Sequence, residues 1–228
     1  MNTADLLELY RRLLDAYGPQ HWWPARGRFE MIVGAILTQR AAWRNAAKAL
    51  DGLRRAGYLT ADALHRAPEA EIAQCIRPAV YHNAKARKLK ALATHLYERH
   101  GGELDRLLDQ PMDALRKELL SIWGIGPETA DAIVLYAAHR PSFVVDAYTT
   151  RLMERLGWLP QGAGYARVRR AFMDALPPDV ELYNEFHALI VRHGKEHCRA
   201  TPSCDGCPVR PLCSVGSKDE SEGENATV

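Results

Sequence analysis

Apolar residues recur every three or four positions along most of this chain, which is the spacing of one face of an α-helix. No stretch alternates polar and apolar residues persuasively enough to predict a β-strand. Glycine and proline separate the helical stretches, as at Gly101-Gly102 and Pro177-Pro178. The pattern therefore predicts an all-α fold. The predicted helices cover residues 3–17, 27–38, 42–56, 60–66, 69–75, 83–100, 112–120, 127–138, 146–156, 165–174 and 179–193.

The composition is that of an ordinary globular protein, with 47% apolar and 25% charged residues. No apolar run approaches the length that is needed to cross a membrane. The first residues, MNTADLLELYRRLL, predict an amphipathic helix rather than a targeting segment. We therefore expect a cytoplasmic protein with no membrane partner.

The charge of the chain is unevenly distributed. Residues 214–228 contain one lysine, four acidic residues and few apolar ones, which predicts a disordered acidic tail. The rest of the chain contains 29 basic and 24 acidic residues. This small positive excess is compatible with nucleic acid binding without requiring it.

Four of the five cysteines lie near the C-terminus in the spacing C-x5-C-x2-C-x5-C. Four thiolates on so short a loop can hold either a tetrahedral zinc or a [4Fe–4S] cluster. Zinc ribbons usually join two C-x2-C pairs across a longer insert, whereas here one C-x2-C is flanked by single cysteines. The spacing favours an iron–sulfur cluster, leaves zinc as the alternative and disfavours disulfides. The predicted ligands are Cys198, Cys204, Cys207 and Cys213.

A second informative stretch, LSIWGIGPETA at residues 120–130, predicts two helices joined by a turn of two glycines. Pro127 suits the first position of the second helix. The glycines let the backbone approach a ligand closely and leave amide N–H groups available to a phosphate. Contacts with phosphates do not depend on the base sequence of the DNA. A tight turn without a ligand is the alternative. The predicted phosphate contacts are Gly124, Ile125, Gly126 and Thr129.

With the hairpin, then Asp146, then the cysteine loop, residues 1–213 resemble the helix–hairpin–helix DNA glycosylases of the endonuclease III superfamily. The resemblance implies two helical domains flanking a cleft. A six-helix domain with the hairpin would cover residues 25–138, and an iron–sulfur cluster domain residues 1–24 and 139–213. The implied partner is double-stranded DNA containing a damaged base, and we expect a monomer associated with the nucleoid. The first cysteine gap departs from the family, because it is five residues here and more often six there.

The resemblance implies that Asp146 is catalytic. A carboxylate beneath the sugar stabilises the positive charge that develops as the C–N bond breaks, and it can orient or deprotonate water. Asp146 could equally cap the helix that begins at Ala147, and both roles can hold together. Bifunctional members of the family carry a lysine just inside the second hairpin helix, where it forms a Schiff base. Here that residue is Glu128, which cannot form an imine, so we expect little or no strand cleavage.

Within the family, the N-terminal aromatic residues resemble the 3-methyladenine glycosylase III branch. The matching elements are W-W-P at residues 22–24, I-L-T-Q at 36–39 and Asn-x-Lys-Ala at 83–86. They imply alkylated purines such as 3-methyladenine or 7-methylguanine, whose positive ring a tryptophan face attracts by about 1–2 kcal/mol. Core packing is the commoner role of tryptophan. The implied base pocket consists of Trp22, Trp23, Trp43 and Lys195.

The resemblance also implies that Gln39 and Tyr81 fill the gap left by an extruded base. A glutamine can hydrogen-bond to the orphaned partner base, and an aromatic ring can wedge between bases. Both could instead be ordinary residues at helix ends. The basic run from Lys85 to Lys90 could follow phosphates, although a solvated helix face accounts for it equally well.

Two other functions remain open at this stage. One is an endonuclease III-like glycosylase for oxidised pyrimidines or for mismatched uracil or thymine, with or without strand cleavage. The other is a non-catalytic DNA-binding iron–sulfur protein. Replacement of Asp146 by Asn separates catalysis from binding, because it should abolish only base release.

Overall fold

A computed structural model describes residues 2–215, and it contains helices and no β-strand over that range. The prediction of an all-α fold is thereby confirmed. No helix among these residues has the length and apolar character that a membrane span requires. The α-helices are α1 (Thr3–Tyr17), α2 (Arg28–Leu37), α3 (Trp43–Arg55), α4 (Ala61–Arg66), α5 (Glu69–Cys75), α6 (His82–His100), α7 (Leu104–Leu108), α8 (Met112–Ser121), α9 (Pro127–Ala132), α10 (Ala147–Arg155), α11 (Tyr165–Ala175) and α12 (Val180–Glu196).

Three elements differ from the sequence-based prediction, and one of them is a short 3-10 helix at Arg210–Leu212 that was not predicted. The helix α7 was not predicted, because its five residues are too few to display a helical period. The helix predicted at 127–138 is an α-helix only as far as Ala132, and Ile133–Ala137 form a π-helical turn. A π turn is wider than an α turn by one residue, and this difference leaves no clear mark in the spacing of apolar positions.

The helices form two compact units. The first unit, which we call the hairpin unit, contains residues 23–140 and therefore α2 to α9. The second, the cysteine-loop unit, contains residues 2–22 and 141–215, with α1 and α10 to α12. The predicted domain boundaries at residues 25 and 138 lie close to these limits.

The predicted acidic tail begins inside the described part of the chain. Its first residue, Ser214, donates a hydrogen bond from its hydroxyl to the carbonyl of Leu156 at 2.8 Å. The next residue, Val215, lines a cavity together with Cys213. Ordered packing therefore extends two residues into the predicted tail. Residues 216–228 of that tail lie outside the described residues.

The core of the hairpin unit is built around α2 and α6. Every residue of α2 from Met31 to Leu37 is buried, so this helix is apolar on all sides. The longer α6 packs against α2, α4 and α5, with Leu89 and Leu96 fully buried. This packing gives the hairpin formed by α8 and α9 an apolar base.

Two lysines of the basic run on α6 end inside the hairpin unit. The Lys85 ammonium donates to the carbonyl of Leu37 at 2.8 Å, and Lys90 donates to that of Ala67 at 2.8 Å. These carbonyls lie at the C-terminal ends of α2 and α4, where they lack helical partners and carry partial negative charge. Both ammonium groups therefore cap helices in this structure, and a role of the basic run in following phosphates stays a prediction.

In the cysteine-loop unit, an aromatic cluster anchors the segment that leads into α10. The ring of Phe143 stacks on that of Phe172, with centroids 4.0 Å apart, and meets Tyr183 edge-on at 5.4 Å. Val144 and Val145 are also buried. Three consecutive buried residues fix the chain immediately before Asp146, so the position of that carboxylate depends on the core of its unit.

A buried ion pair joins the two helices of the hairpin. Asp131 on α9 has no exposed surface, and Arg116 on α8 donates to its two carboxylate oxygens at 2.8 and 2.9 Å. This bidentate geometry satisfies both oxygens of a carboxylate that would otherwise be poorly solvated. The relative position of the two hairpin helices is therefore set by charge as well as by apolar contact.

We expect Arg116→Ala to lower the free energy of unfolding by about 3 kcal/mol, because it leaves the Asp131 carboxylate buried without its main counter-charge. The measurement is the urea unfolding curve of the purified protein. Arg106→Ala is the matched control, since its ion pair with Glu103 is well exposed on both sides and contributes about 0–1 kcal/mol. Equal effects of the two substitutions would contradict a structural role for the buried pair.

Candidate active site

Asp146 is the residue that caps α10. Its Oδ1 accepts hydrogen bonds from the backbone N–H of Thr149 at 2.8 Å and from the Thr149 hydroxyl at 3.0 Å. The other oxygen, Oδ2, lies 3.7 Å from Nε2 of His187 on α12. That distance is long for a direct hydrogen bond, so the interaction with His187 is mainly electrostatic. The side chain of Asp146 is 15% exposed.

The environment of Asp146 favours the ionised carboxylate. Burial raises the pKa of this carboxyl. His187 and the two hydrogen bonds from Thr149 together lower the pKa by more than burial raises it, so the pKa lies below its ordinary value. Asp146 is therefore an anion at neutral pH. Such a group can stabilise a neighbouring cation or accept a proton, but it is not a proton donor.

The two partners of Asp146 were not predicted from the sequence. Thr149 follows Asp146 by three residues, which is the spacing of an N-cap and the N–H it binds, so the cap pattern already contained this signal. His187 carries no such local signal. It lies on α12, is 6% exposed, and meets Asp146 only because α10 and α12 pack together.

The predicted helix–hairpin–helix is present between α8 and α9. Gly124 has a φ of +88°, which an L side chain rarely adopts, and a Cβ there would lie 2.3 Å from Cγ of Lys88. Gly126 is exposed, with no atom within 4 Å of the position that a Cβ would take. The side chain of Ile125 is buried, and its amide donates to the Ile122 carbonyl at 3.1 Å. Gly126 is therefore the most open of the predicted phosphate contacts.

Gln39, which also belongs to the hairpin unit, forms hydrogen bonds with the hairpin. Its side-chain amide donates to the Gly124 carbonyl at 3.1 Å and to the Thr129 hydroxyl at 2.9 Å. Its carbonyl oxygen accepts a hydrogen bond from the Lys88 ammonium. Thr129 is 6% exposed, so its side chain belongs to this network. The predicted contacts of Gln39 and Thr129 with DNA stay predictions, and these hydrogen bonds show what holds both residues in the structure.

Two aromatic side chains of the hairpin unit are unusually exposed. Tyr81 is 60% exposed and has a φ of +62°, a conformation that costs a non-glycine residue about 1–3 kcal/mol. Trp123, in the hairpin turn, is 56% exposed, and the Arg87 guanidinium lies 5.5 Å from its ring centroid. Trp123 was not singled out in the sequence analysis, since a tryptophan beside glycines reads equally well as a core residue.

Two of the three predicted pocket tryptophans meet. The rings of Trp23 and Trp43 are 5.4 Å apart and nearly perpendicular, and the ring of Tyr136 lies 5.4 Å from that of Trp23 at an angle of 50°. Tyr136 belongs to the π-helical turn and was missed, because its position reads as part of an ordinary apolar helix face. Trp22 belongs to the cysteine-loop unit, as does Lys195, which is exposed in the last turn of α12.

The four predicted cysteine ligands line one cavity, whose walls include Leu152 and Val209. Burial raises the pKa of the Cys207 thiol, and the other three cysteines raise it further, as expected of thiols that lie close together. No disulfide joins any cysteine of the described chain. A compact set of four sulfurs with apolar walls fits a four-thiolate cluster.

Side-chain nitrogens of Arg155 and His193 lie against two of the four sulfur atoms. Arg155 donates to Sγ of Cys198 at 3.3 Å and to the carbonyls of Arg199 and Ala200 at 2.6 and 2.7 Å. Nε2 of His193 lies 3.9 Å from Sγ of Cys207, and burial followed by the nearby His197 lowers the pKa of His193 to about 4. Donors to sulfur stabilise thiolate ligands, so this second layer also fits a bound cluster.

Comparison with known proteins identifies a family and several similar proteins. The model of the HhH-GPD superfamily of base excision DNA repair proteins matches residues 33–178. A protein of Methanocaldococcus jannaschii, provisionally named a DNA repair glycosylase, is 44% identical over 91% of this chain and 95% of its own length. Endonuclease III in a trapped covalent intermediate with DNA is similar with a TM-score of 0.83 and 25% identity, over 96% of this chain and 99% of that one. The 3-methyladenine DNA glycosylase of H. pylori, bound to 1,N6-ethenoadenine, is similar with a TM-score of 0.75 and 25% identity. The match covers 86% of this chain and 98% of that one.

We expect His187→Gln to raise the pKa of the Asp146 carboxyl. The substitution removes an interaction that lowers this pKa, whereas the burial that raises it stays. Titration of the Asp146 carboxyl carbon by NMR in the two proteins measures the change. Thr149→Ser is the control, because it keeps both the backbone N–H and the hydroxyl donor. An unchanged pKa in His187→Gln would mean that Thr149 alone keeps Asp146 ionised.

Proposed function

The chain belongs to the HhH-GPD superfamily of base excision DNA repair proteins, and we propose that it is a monofunctional DNA glycosylase for alkylated purines. The family makes it a DNA glycosylase. The observation that carries the monofunctional assignment is Glu128, which is exposed in the first turn of α9. Bifunctional relatives need an amine there to attack the sugar, and a carboxylate offers none.

Asp146 is the proposed catalytic residue. As the bond between C1′ and the base nitrogen breaks, its electron pair leaves with the base and positive charge develops on the sugar. The anionic carboxylate stabilises that charge, and the attacking water transfers a proton to it as the new C1′–O bond forms. An alkylated purine starts as a cation and departs neutral, so no strong general acid is required. The lowered pKa of Asp146 suits this reaction.

The aromatic cluster of Trp23, Trp43 and Tyr136 supports alkylated purines as substrates. A positively charged purine gains about 1–2 kcal/mol over a tryptophan face, and a neutral base lacks this attraction. The likeness to a 3-methyladenine DNA glycosylase that holds a modified adenine supports the same substrate class. Trp22 and Lys195 stay proposed members of the pocket.

The hairpin and Tyr81 are the proposed contacts with DNA. The backbone at Gly124 and Gly126 approaches a phosphate, which positions the enzyme without reading base sequence. The strained backbone of Tyr81 holds an exposed ring that can wedge between bases, and strain of this kind is often found at functional residues. In the absence of DNA, Gln39 holds the hairpin, and its proposed contact with the orphaned base requires it to leave Gly124 and Thr129.

We propose that Cys198, Cys204, Cys207 and Cys213 hold a [4Fe–4S] cluster. Hydrolytic base release transfers no electrons, so the cluster supplies a fixed structure to the loop. Arg155 and His193 keep the sulfur ligands in position and stabilise their negative charge. The loop also carries Arg199 and Arg210, which are proposed to contact the DNA backbone.

A second candidate is an endonuclease III-like glycosylase for oxidised pyrimidines. The higher TM-score of endonuclease III, 0.83, favours it. Such an enzyme must read the hydrogen-bonding edge of a neutral base, whereas the cluster of Trp23, Trp43 and Tyr136 offers mainly ring surfaces. The substrate therefore separates the two candidates in a single assay.

We expect the protein to release 3-methyladenine or 7-methylguanine from methylated DNA and to leave oxidised pyrimidines in place. Strand breaks should appear only after alkali, because Glu128 cannot form a Schiff base, and borohydride should trap no covalent adduct. Asp146→Asn should abolish base release while DNA affinity changes less than about twofold, since the carboxylate acts on the transition state.

The controls for this assay are an undamaged duplex and Glu128→Lys, which restores an amine and should yield a trapped adduct. Release of oxidised pyrimidines with direct strand breaks in the unaltered protein would overturn both the substrate and the monofunctional assignment. Unchanged base release by Asp146→Asn would overturn the catalytic assignment.

We expect the anaerobically purified protein to contain four iron and four sulfide ions. Cys207→Ser should lose most of the iron and lower the melting temperature, because the loop then lacks one of its four ligands. Iron analysis and thermal unfolding measure the two effects. Cys75→Ser is the matched control, since Cys75 ends α5 in the hairpin unit and should leave the iron content unchanged. Zinc in place of iron in the unaltered protein would contradict the cluster assignment.

A further inference from the structure

Two histidines and a glutamate converge at one point of the hairpin unit that the proposed glycosylase reaction does not use. Nε2 of His95 lies 2.7 Å and Nε2 of His100 lies 2.6 Å from the same oxygen, Oε1 of Glu118. One ligand atom of each residue lies within 4.8 Å of those of the other two. The side chains are only 13–18% exposed. We propose that His95, His100 and Glu118 form a binding site for a divalent transition metal, with Zn²⁺ as the preferred ion.

The local structure of two helices produces this convergence. His95 and His100 both lie on α6, which ends at His100 because Gly101 adopts the left-handed conformation. Glu118 lies one turn before the end of α8. The C-terminal end of a helix carries partial negative charge, which favours a cation beside His100. The site thus joins the end of one helix to the side of another.

A neighbour outside the proposed ligand set holds the Glu118 side chain in place. Gln110 donates to the other oxygen, Oε2, at 2.7 Å, so that the carboxylate keeps its orientation. Hydrogen bonds of this kind from outside the ligand set hold metal-binding carboxylates in place.

The type and spacing of the ligands favour zinc over magnesium or calcium. Imidazole nitrogen suits zinc, whereas the two harder ions require mainly oxygen ligands. In a tetrahedral zinc site with bonds near 2.0–2.1 Å, neighbouring ligand atoms are about 3.3 Å apart. The two N···O distances would therefore lengthen by about 0.6 Å on binding. Water can take the fourth position.

A bound metal would stabilise the hairpin. Its ligands connect α6 to α8, and α8 leads directly into the Gly124 turn. Without a metal, the same residues are joined by hydrogen bonds of modest net strength. A structural metal adds its binding free energy to the folded state only, so it raises the melting temperature of the hairpin unit.

The test is titration of the cluster-loaded protein with Zn²⁺ by isothermal calorimetry, so that the cysteine-loop thiols are already occupied. The unaltered protein should bind one more equivalent of Zn²⁺ than His100→Gln, which keeps a hydrogen-bond donor to Glu118. Gln110→Ala should keep this equivalent and bind it about 10–100-fold more weakly. His139→Gln is the control, because His139 is exposed in the same unit and should leave binding unchanged. Mg²⁺ and Ca²⁺ should produce no corresponding equivalent.

A second measurement observes the proposed ligands directly. Addition of Zn²⁺ to the unaltered protein should shift the imidazole nitrogen resonances of His95 and His100 and leave those of His139 in place. It should also raise the melting temperature in the unaltered protein and not in His100→Gln. Equal Zn²⁺ stoichiometry in the unaltered protein and His100→Gln, or unshifted His95 and His100 resonances, would overturn the proposal.

Discussion

Every helix ends in backbone groups without partners, and in this chain charged side chains satisfy several of them. Lys85 binds the last carbonyl of α2 and Lys90 binds carbonyls at the end of α4, so that both helices end inside the hairpin unit. Asp146 accepts a hydrogen bond from the Thr149 N–H in the first turn of α10. A fold of many short helices has many such ends. It therefore depends on charged groups placed in its interior, where each must have a partner.

Buried polar contacts also determine the shape of the hairpin. Its turn contains two glycines, and Trp123 and Gly126 are exposed. The conformation of the turn therefore depends on contacts with the residues that it packs against. Gln39 holds Gly124 and Thr129, while the pair of Arg116 and Asp131 holds α8 to α9. The ion pair of Arg116 and Asp131 fixes the two hairpin helices independently of Gln39.

At Asp146, helix capping and the proposed catalytic role make compatible demands. The cap uses Oδ1 and fixes the carboxylate, and the second oxygen lies toward His187. The same contacts that hold the group also keep it ionised. Stabilisation of a developing cation requires an anion in a fixed position, because a group that must reorient during the reaction loses much of its effect.

The sequence by itself determined the helices, the hairpin turn, the cap at Asp146 and the cysteine loop. Each of these depends on residue types a few positions apart, and local spacing is enough to specify them. The sequence did not predict α7, the π-helical turn or the partners that meet across the fold. Tyr136 with Trp23, His187 with Asp146, and Glu118 with the two histidines of α6 come from distant parts of the chain. Only the tertiary structure decided these contacts, because they depend on how whole helices pack and leave no periodic pattern in the residues themselves.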